Sequence, residues 1–262
     1  MEVFGYGAAV VIGITLGLMG GGGSILTVPV LVYLFGRSAA IATGYSLFIV
    51  GVTAMIGAIL MAQRGLVAGR IAIGFALPAF LTVWLTRHFL LPALPMMWGR
   101  YSRDTILLIF FAVLMLVTAV SMLRKRNDVL SETTGPVTIN WRQLVVPALF
   151  VGMVTGLVGA GGGFLIVPAL TLAAKLPIKR AVGTSLAIIA ANSLFGFFSD
   201  AHIRQVADWR LLLYLTVLAV GGMGVGTLLS RQIPGEKLRP AFGIFLLIMG
   251  TYMVAREIFT HR

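Results

Sequence analysis

The chain has 262 residues, of which 59% are apolar and 11% charged, with no cysteine and a formal net charge of +12. Ordinary soluble domains have about 25% charged residues, so a mean hydropathy of +1.01 excludes a water-soluble fold and points to a membrane. The lack of cysteine excludes disulfides, thiolate metal sites and a cysteine relay of sulfur groups.

The first stretch, "MEVFGYGAAVVIG", carries Glu2, has no basic leader region and runs into a glycine cluster rather than a cleavage site, so it is expected to be mature protein. Apolar segments follow near 3–35, 41–62, 71–91, 105–123, 144–174, 179–199, 209–230 and 238–255. Most have about the 20 residues a helix needs to cross a hydrocarbon core. The segments 3–35 and 144–174 are too long for one comfortable crossing and too short for two. They contain "GLMGGGGSILTVP" (Gly17 to Pro29) and "GLVGAGGGFLIVP" (Gly156 to Pro168). Each predicts two half-helices joined by a bare-backbone break, either re-entrant or discontinuous.

The polar stretch "RKRNDVLSETTGPVTINWR", 124–142, divides the chain into a first repeat, 1–123, and a second, 143–262. At an offset of 139 residues, Gly17–Gly57 overlies Gly156–Gly196 without a gap, with 15 identities in 41 positions. Beyond that block the halves match poorly: the Pro78 and Trp84–Trp98 region has no clear counterpart in "VGGMGVGTLL". The expected fold is an all-α, polytopic membrane protein of two homologous repeats, each a glycine-broken helix followed by about three transmembrane helices. Transporters are often built from such repeats, with substrate held near the midplane by discontinuous helices.

The glycines suggest how. At membrane depth a non-helical backbone is tolerated only where it is buried in protein or lines a cavity. A half-helix that starts there presents unpaired N–H groups at the positive end of its dipole, which makes an anion site without a charged side chain. Single glycines in membrane helices usually serve close packing, but a packing motif does not place four in succession. The candidate substrate-binding residues are therefore Gly20, Gly21, Gly22, Gly23 and Ser24 in the first half, and Gly159, Gly161, Gly162 and Gly163 in the second. Ser24 is expected to cap its half-helix, with Gly163 in the corresponding place. The next helices, "ATGYSLFIVGVTAMIG" and "AVGTSLAIIAANSLFG", add the aligned pairs Tyr45 with Thr184, Ser46 with Ser185, and Thr53 with Asn192. Hydroxyls and amides bond an oxyanion without the desolvation cost of a buried cation. Bonds between helices are the competing use for these groups.

The paired blocks G-L-x-G-x-G-G-x-x-L-x-V-P, each followed by an A-x-G-x-S-L helix, resemble the TauE/SafE family of membrane permeases, also described as sulfite exporters. The resemblance covers nearly the whole chain. It implies a carrier of small anions, with sulfite, organosulfonates and other sulfur oxyanions first among the substrates. The second half, with "GAGGG" and "VGTSLAII", fits the pattern well; Tyr45 departs from it, so the Tyr45 and Thr184 hydroxyls are expected not to be equivalent.

All eight acidic residues, Glu2, Asp104, Asp128, Glu132, Asp200, Asp208, Glu236 and Glu257, fall at segment ends or between segments, as do His88, His202 and His261. Without an intramembrane Asp, Glu or His relay, uniport, exchange or carriage of a proton already on the substrate is expected. The same inventory leaves Ser24, Ser46 and Ser185 without a base for hydrolysis, so no enzyme, catalytic residue, metal or cofactor is expected. A passive anion channel and a non-transporting scaffold are the alternatives. Arg87 and Arg231 end membrane segments, where they either draw anions or snorkel. If the repeats are inverted, 12 Lys and Arg residues lie on the face of 124–142 and eight on the other; parallel repeats divide them ten to ten. The inverted form is favoured, because half-helix N-termini then approach the midplane from both faces. Expected partners are the small anionic substrate, membrane lipids and, as an option, a second copy in a homodimer, with no nucleic acid. The expected location is the inner or plasma membrane of the cell, as a multi-pass protein.

Overall fold

The computed structural model describes residues 2–90, 93, 97–98, 101–123, 141–158, 163–172, 174–199, 205 and 207–260. Apart from a two-residue β-pair, Met97–Trp98 with Tyr101–Ser102, its elements are helical. In chain order they are α1 (Glu2–Met19), α2 (Gly23–Tyr33), α3 (Ala39–Ala62), α4 (Gly69–Leu85, continued by a π-helical turn Thr86–Leu90), α5 (Arg103–Leu123), α6 (Trp141–Val158), α7 (Gly163–Leu172), α8 (Ile178–Ser199), α9 (Trp209–Gln232) and α10 (Gly235–Thr260). Four stretches among the described residues are long and apolar enough to cross a membrane: Ile41–Ala62, Gly69–Leu90, Ile178–Ser199 and Trp209–Gln232. Shorter apolar stretches lie in α1, α2, α5, α6 and α10. Of the 124–142 segment only Trp141 and Arg142 are described, and they begin α6.

Large apolar side chains face outward in helical stripes, as with Ile73, Leu77 and Leu81 on α4 and Val113, Val117 and Val120 on α5. In water such stripes would be a liability, whereas in lipid they are the favourable surface. The centre lies at α8: 67% of its crossing stretch is buried, against 28% for Gly69–Leu90.

α1 and α2 form a hairpin. A left-handed Gly20 (φ +67°) ends the first helix, since a residue with a Cβ pays strain in that region. The chain then reverses so that Gly23 lies against the Ile12 carbonyl. Tyr6, near the start of α1, packs edge-on against Phe35, just past α2, at 5.7 Å between ring centroids. Both ends of this hairpin therefore lie at one face of the protein. α3 and α8 run antiparallel at the centre: a Cβ on Gly51 would meet Leu194, one on Gly57 would meet Leu186, and one on Gly183 would meet Met61.

The remaining pairings are reciprocal. α1 runs parallel to α9, with Gly13 against Ala219 and Gly17 against Met223 and Gly226. α6 runs parallel to α4, with Gly152 against Ala79 and Gly156 against Val83 and Thr86. At these crossings the backbones approach so closely that no side chain fits, which is how small residues serve helix packing in lipid. α5 and α10 pair with each other, Gly243 facing Ala119 and Gly250 facing Ala112.

Candidate functional site

The tips of the two hairpins meet. A methyl group on Gly21 would overlap the Gly163 carbonyl, and one on Gly163 would press on Ser24 Oγ, the Gly21 carbonyl and the Ile189 side chain. Gly20 in turn sits against Val182 and Ser185 of α8. Ser185 Oγ lies 2.9 Å from the Gly20 carbonyl oxygen and 2.8 Å from that of Val182, so one hydroxyl fastens the first tip to the central helix. The structure thus brings Gly20, Gly21, Gly23, Ser24, Gly163 and Ser185 into one buried cluster, with Gly22 facing Phe242. Gly159, Gly161 and Gly162 lie outside the described residues.

Ser24 does not cap α2. The helix starts one residue earlier, at Gly23, and its N-cap is Gly22, already helical at φ −62°, ψ −32°, with no side-chain cap. The first turn is tight, with Ser24 N and Ile25 N each donating at 3.3 Å to the Gly21 and Gly22 carbonyls. Ser24 is then one position too deep to reach a free amide, and its hydroxyl donates to the Gly21 carbonyl at 2.7 Å. The consequence favours an anion. Among the described residues, the amides of Gly21, Gly22 and Gly23 have no hydrogen-bond acceptor, although all three glycines are buried. Buried backbone donors are seldom left so, and here they sit at the positive end of a helix dipole.

Tyr45 and Thr184 hold something else. Tyr45 Oη accepts from the amide of Asp208, the N-cap residue of α9, at 2.6 Å. Thr184 Oγ1 accepts from the amide of Ala68, the N-cap residue of α4, at 3.0 Å. The two hydroxyls, expected to differ, make the same contact in the two halves: each anchors the start of a helix in the other half. Ser46 is buried within α3; the offset that pairs it with Ser185 pairs Gly20 with Gly159.

Farther along α3 and α8, Thr53 Oγ1, Asn192 Oδ1 and Ser193 Oγ are buried without a partner among the described residues. The antiparallel register places Thr53 level with Asn192. Val182, Ser185 and Ile189 already face the tips, and helical spacing carries that stripe on to Asn192 and Ser193. Ser193 escaped sequence reasoning because its aligned partner is Ala54, so no pairing marked it.

Asp208, at the α9 N-cap, forms an ion pair with Arg37 at 3.0 Å and accepts from Leu211 N at 3.2 Å. No group of three or more metal-ligating side chains occurs among the described residues. His202, His261, Asp128, Glu132 and Asp200 lie outside them, and Arg231 ends α9 beside Arg64 and Lys179.

A family model for "Sulfite exporter TauE/SafE" matches residues 6–256. A probable membrane transporter protein of Xylella fastidiosa (strain Temecula1) is 32% identical over 255 residues, covering 96% of this chain and 94% of that protein. A probable membrane transporter protein of Haemophilus influenzae is 27% identical over 266 residues, 92% of this chain and 93% of its own. One of Methanocaldococcus jannaschii is 34% identical over 116 residues, 42% of this chain and 43% of its own. No solved structure matches the chain. Lipid-facing helices and these likenesses define a multi-pass membrane transporter. Within that class, the chain belongs to the sulfite exporter TauE/SafE family, an assignment that implies a non-enzymatic role.

Proposed function

We propose that the chain is a secondary transporter of small anions, with sulfur oxyanions and organosulfonates as the substrate class. The substrate sits at the meeting point of the hairpin tips, on the amides of Gly21, Gly22 and Gly23 and their counterparts at 159–163. Ser24 and Ser185 fix the tip, and Asn192, Thr53 and Ser193 supply further polar contact. The observation that carries this reading is the row of buried amides at the start of α2 that have no acceptor among the described residues. A fixed dipole of this kind takes a singly or doubly charged oxyanion while avoiding the cost of burying Lys or Arg.

The reciprocal pairing of α1 with α9 and of α6 with α4 supports two repeats of inverted orientation, one hairpin entering from each face. In that arrangement the tip contact between Gly21 and Gly163 is the barrier, and rocking one half against the other exposes the substrate to each side in turn. The 12 Lys and Arg residues on the face of 124–142 then mark it as cytoplasmic.

The test is a thermal-shift screen of detergent-purified protein against sulfite, sulfate, thiosulfate, sulfoacetate, taurine and chloride. It is repeated on Gly22→Ala and Gly22→Leu and followed by counterflow in proteoliposomes. One sulfur oxyanion stabilises the wild type, both substitutions remove the effect, and counterflow saturates. Flux without saturation would instead make the protein a channel, and an unchanged response in the folded variants would move the site elsewhere.

A further inference from the structure

At the face that carries Arg142, three segments converge on a cavity of about 80 Å³, lined by Met61, Arg64, Leu66, Lys179, Ser230 and Arg231. That is several times the roughly 10–15 Å³ one water requires, so the cavity admits an ion with four oxygens. Arg64 comes from the α3–α4 loop, Lys179 from the first turn of α8 and Arg231 from the last turn of α9. Among the described side chains, the ion pair Arg37–Asp208 lies at the opposite face.

Three cations around one small cavity repel each other. Desolvation lowers the pKa of the Arg64 guanidinium from its ordinary value, and the Arg231 charge adds to the effect. α8 increases the local positive potential: helices favour acidic residues in the first turn, whereas this one has none and begins Ile178-Lys179-Arg180. Arg180 Nε is buried without a partner among the described residues. The site is also held in shape. Leu66 N donates to the Met61 carbonyl at 3.0 Å, Ala68 N donates to Thr184 Oγ1 at 3.0 Å, and the Leu66 carbonyl rests against Gly183. Met61 and Leu66 add apolar wall beside the cations. A negative charge between the cations relieves this repulsion.

We propose that Arg64, Lys179 and Arg231, beside Ser230, form a second anion site that takes a tetrahedral oxyanion of the phosphate or sulfate class, from a soluble ion or a lipid head group. The site goes beyond the transport reading and stands on its own residues. At the mouth of a carrier it concentrates anions by its field; occupied by a lipid phosphate, it fastens the α3–α4 loop to the bilayer.

The experiment uses full-length protein and the single variants Arg64→Gln, Lys179→Gln and Arg231→Gln, none of which touches the hairpin tips. Inorganic phosphate and sulfate are titrated calorimetrically into delipidated protein, and phosphatidylglycerol retention is read by native mass spectrometry from nanodiscs. Each substitution is expected to weaken binding by about tenfold, the loss of one charge-assisted hydrogen bond. A loss seen with the soluble ions assigns the site to a free oxyanion. A loss confined to phosphatidylglycerol assigns it to lipid. The proposal is overturned if the wild type binds neither, or if all three variants bind as the wild type does. It is equally overturned if phosphate binding survives these variants and disappears in Gly22→Ala, since that places the ion at the tips. Counterflow reports on the tips separately, so the two readings fail independently.

Discussion

Glycine serves two different ends in this molecule, and the seam between α1 and α9 sets off the tip at Gly20–Gly23. In the seam, Gly13 and Gly17 face Ala219, Met223 and Gly226 across a gap too narrow for a Cβ. Those glycines lie within continuous helices, and only packing is at stake. At the tip the space is as tight, yet helix hydrogen bonding stops and the amides of Gly21, Gly22 and Gly23 have no acceptor among the described residues. Crowding alone therefore does not mark a candidate site, and the proposal for the tip rests on crowding together with unsatisfied donors.

The contrast breaks most sharply on stability. Gly13→Leu drives a side chain into the Ala219 carbonyl, which cannot move without shifting α9. Overpacking of this kind costs about 3 kcal/mol, and the melting midpoint of the purified protein should fall by roughly 10 °C. The folded fraction should still respond to its anion. A midpoint unchanged from wild type would show that α1 and α9 do not pack as described.

Gly22→Ala is the opposite case. Gly22 has helical angles, so alanine fits the backbone, and the added methyl meets the Phe242 and Phe245 rings rather than any backbone atom. Stability should change by about 1 kcal/mol or less, while anion-dependent stabilisation is lost. If Gly22→Ala instead melts as low as Gly13→Leu, the tip glycines are packing glycines too, and the comparison collapses.

Ser185→Ala sharpens it further. The hydroxyl within 2.9 Å of the Gly20 carbonyl disappears, leaving a buried acceptor short of one donor. That should cost about 1 kcal/mol and weaken anion binding by loosening the tip, with a larger effect on affinity than Thr184→Ala. Equal losses of affinity in the two variants would mean that contact with the α4 N-cap matters as much as contact with the tip.

Part of this was legible in the sequence for plain physical reasons. A segment of 33 residues cannot be one crossing, and consecutive glycines cannot continue a helix cheaply, so the division at Gly20–Gly22 follows from length and composition. The likeness between the α6–α4 contact and the α1–α9 contact was hidden. In the structure Gly152 faces Ala79 where Gly13 faces Ala219, an offset of 140 rather than 139 between the partner helices. The seam asks only for a small residue there, so Pro78 and Leu218 beside it share nothing that an alignment detects. Tyr45 and Thr184 were ambiguous because a hydroxyl near a glycine is equally suited to an anion and to a helix N-cap amide. The Arg64, Lys179 and Arg231 cluster was out of reach, because residues far apart in sequence meet only once α3, α8 and α9 are packed.

The smallest effect is expected where charge is already balanced. Arg37 and Asp208 are about two-fifths exposed and 3.0 Å apart, so solvent screens the pair. Arg37→Gln should cost at most about 1 kcal/mol and leave phosphate and sulfate binding unchanged, because Asp208 still caps α9 and still meets Tyr45 through its amide. Set beside Arg64→Gln, this variant removes one positive charge from each face in turn. Net charge falls equally in both, so a field set by total charge would lower anion affinity equally. A loss confined to Arg64→Gln requires a local cause, three cations converging on one cavity. A comparable loss in Arg37→Gln would reduce the difference between the faces to overall electrostatics.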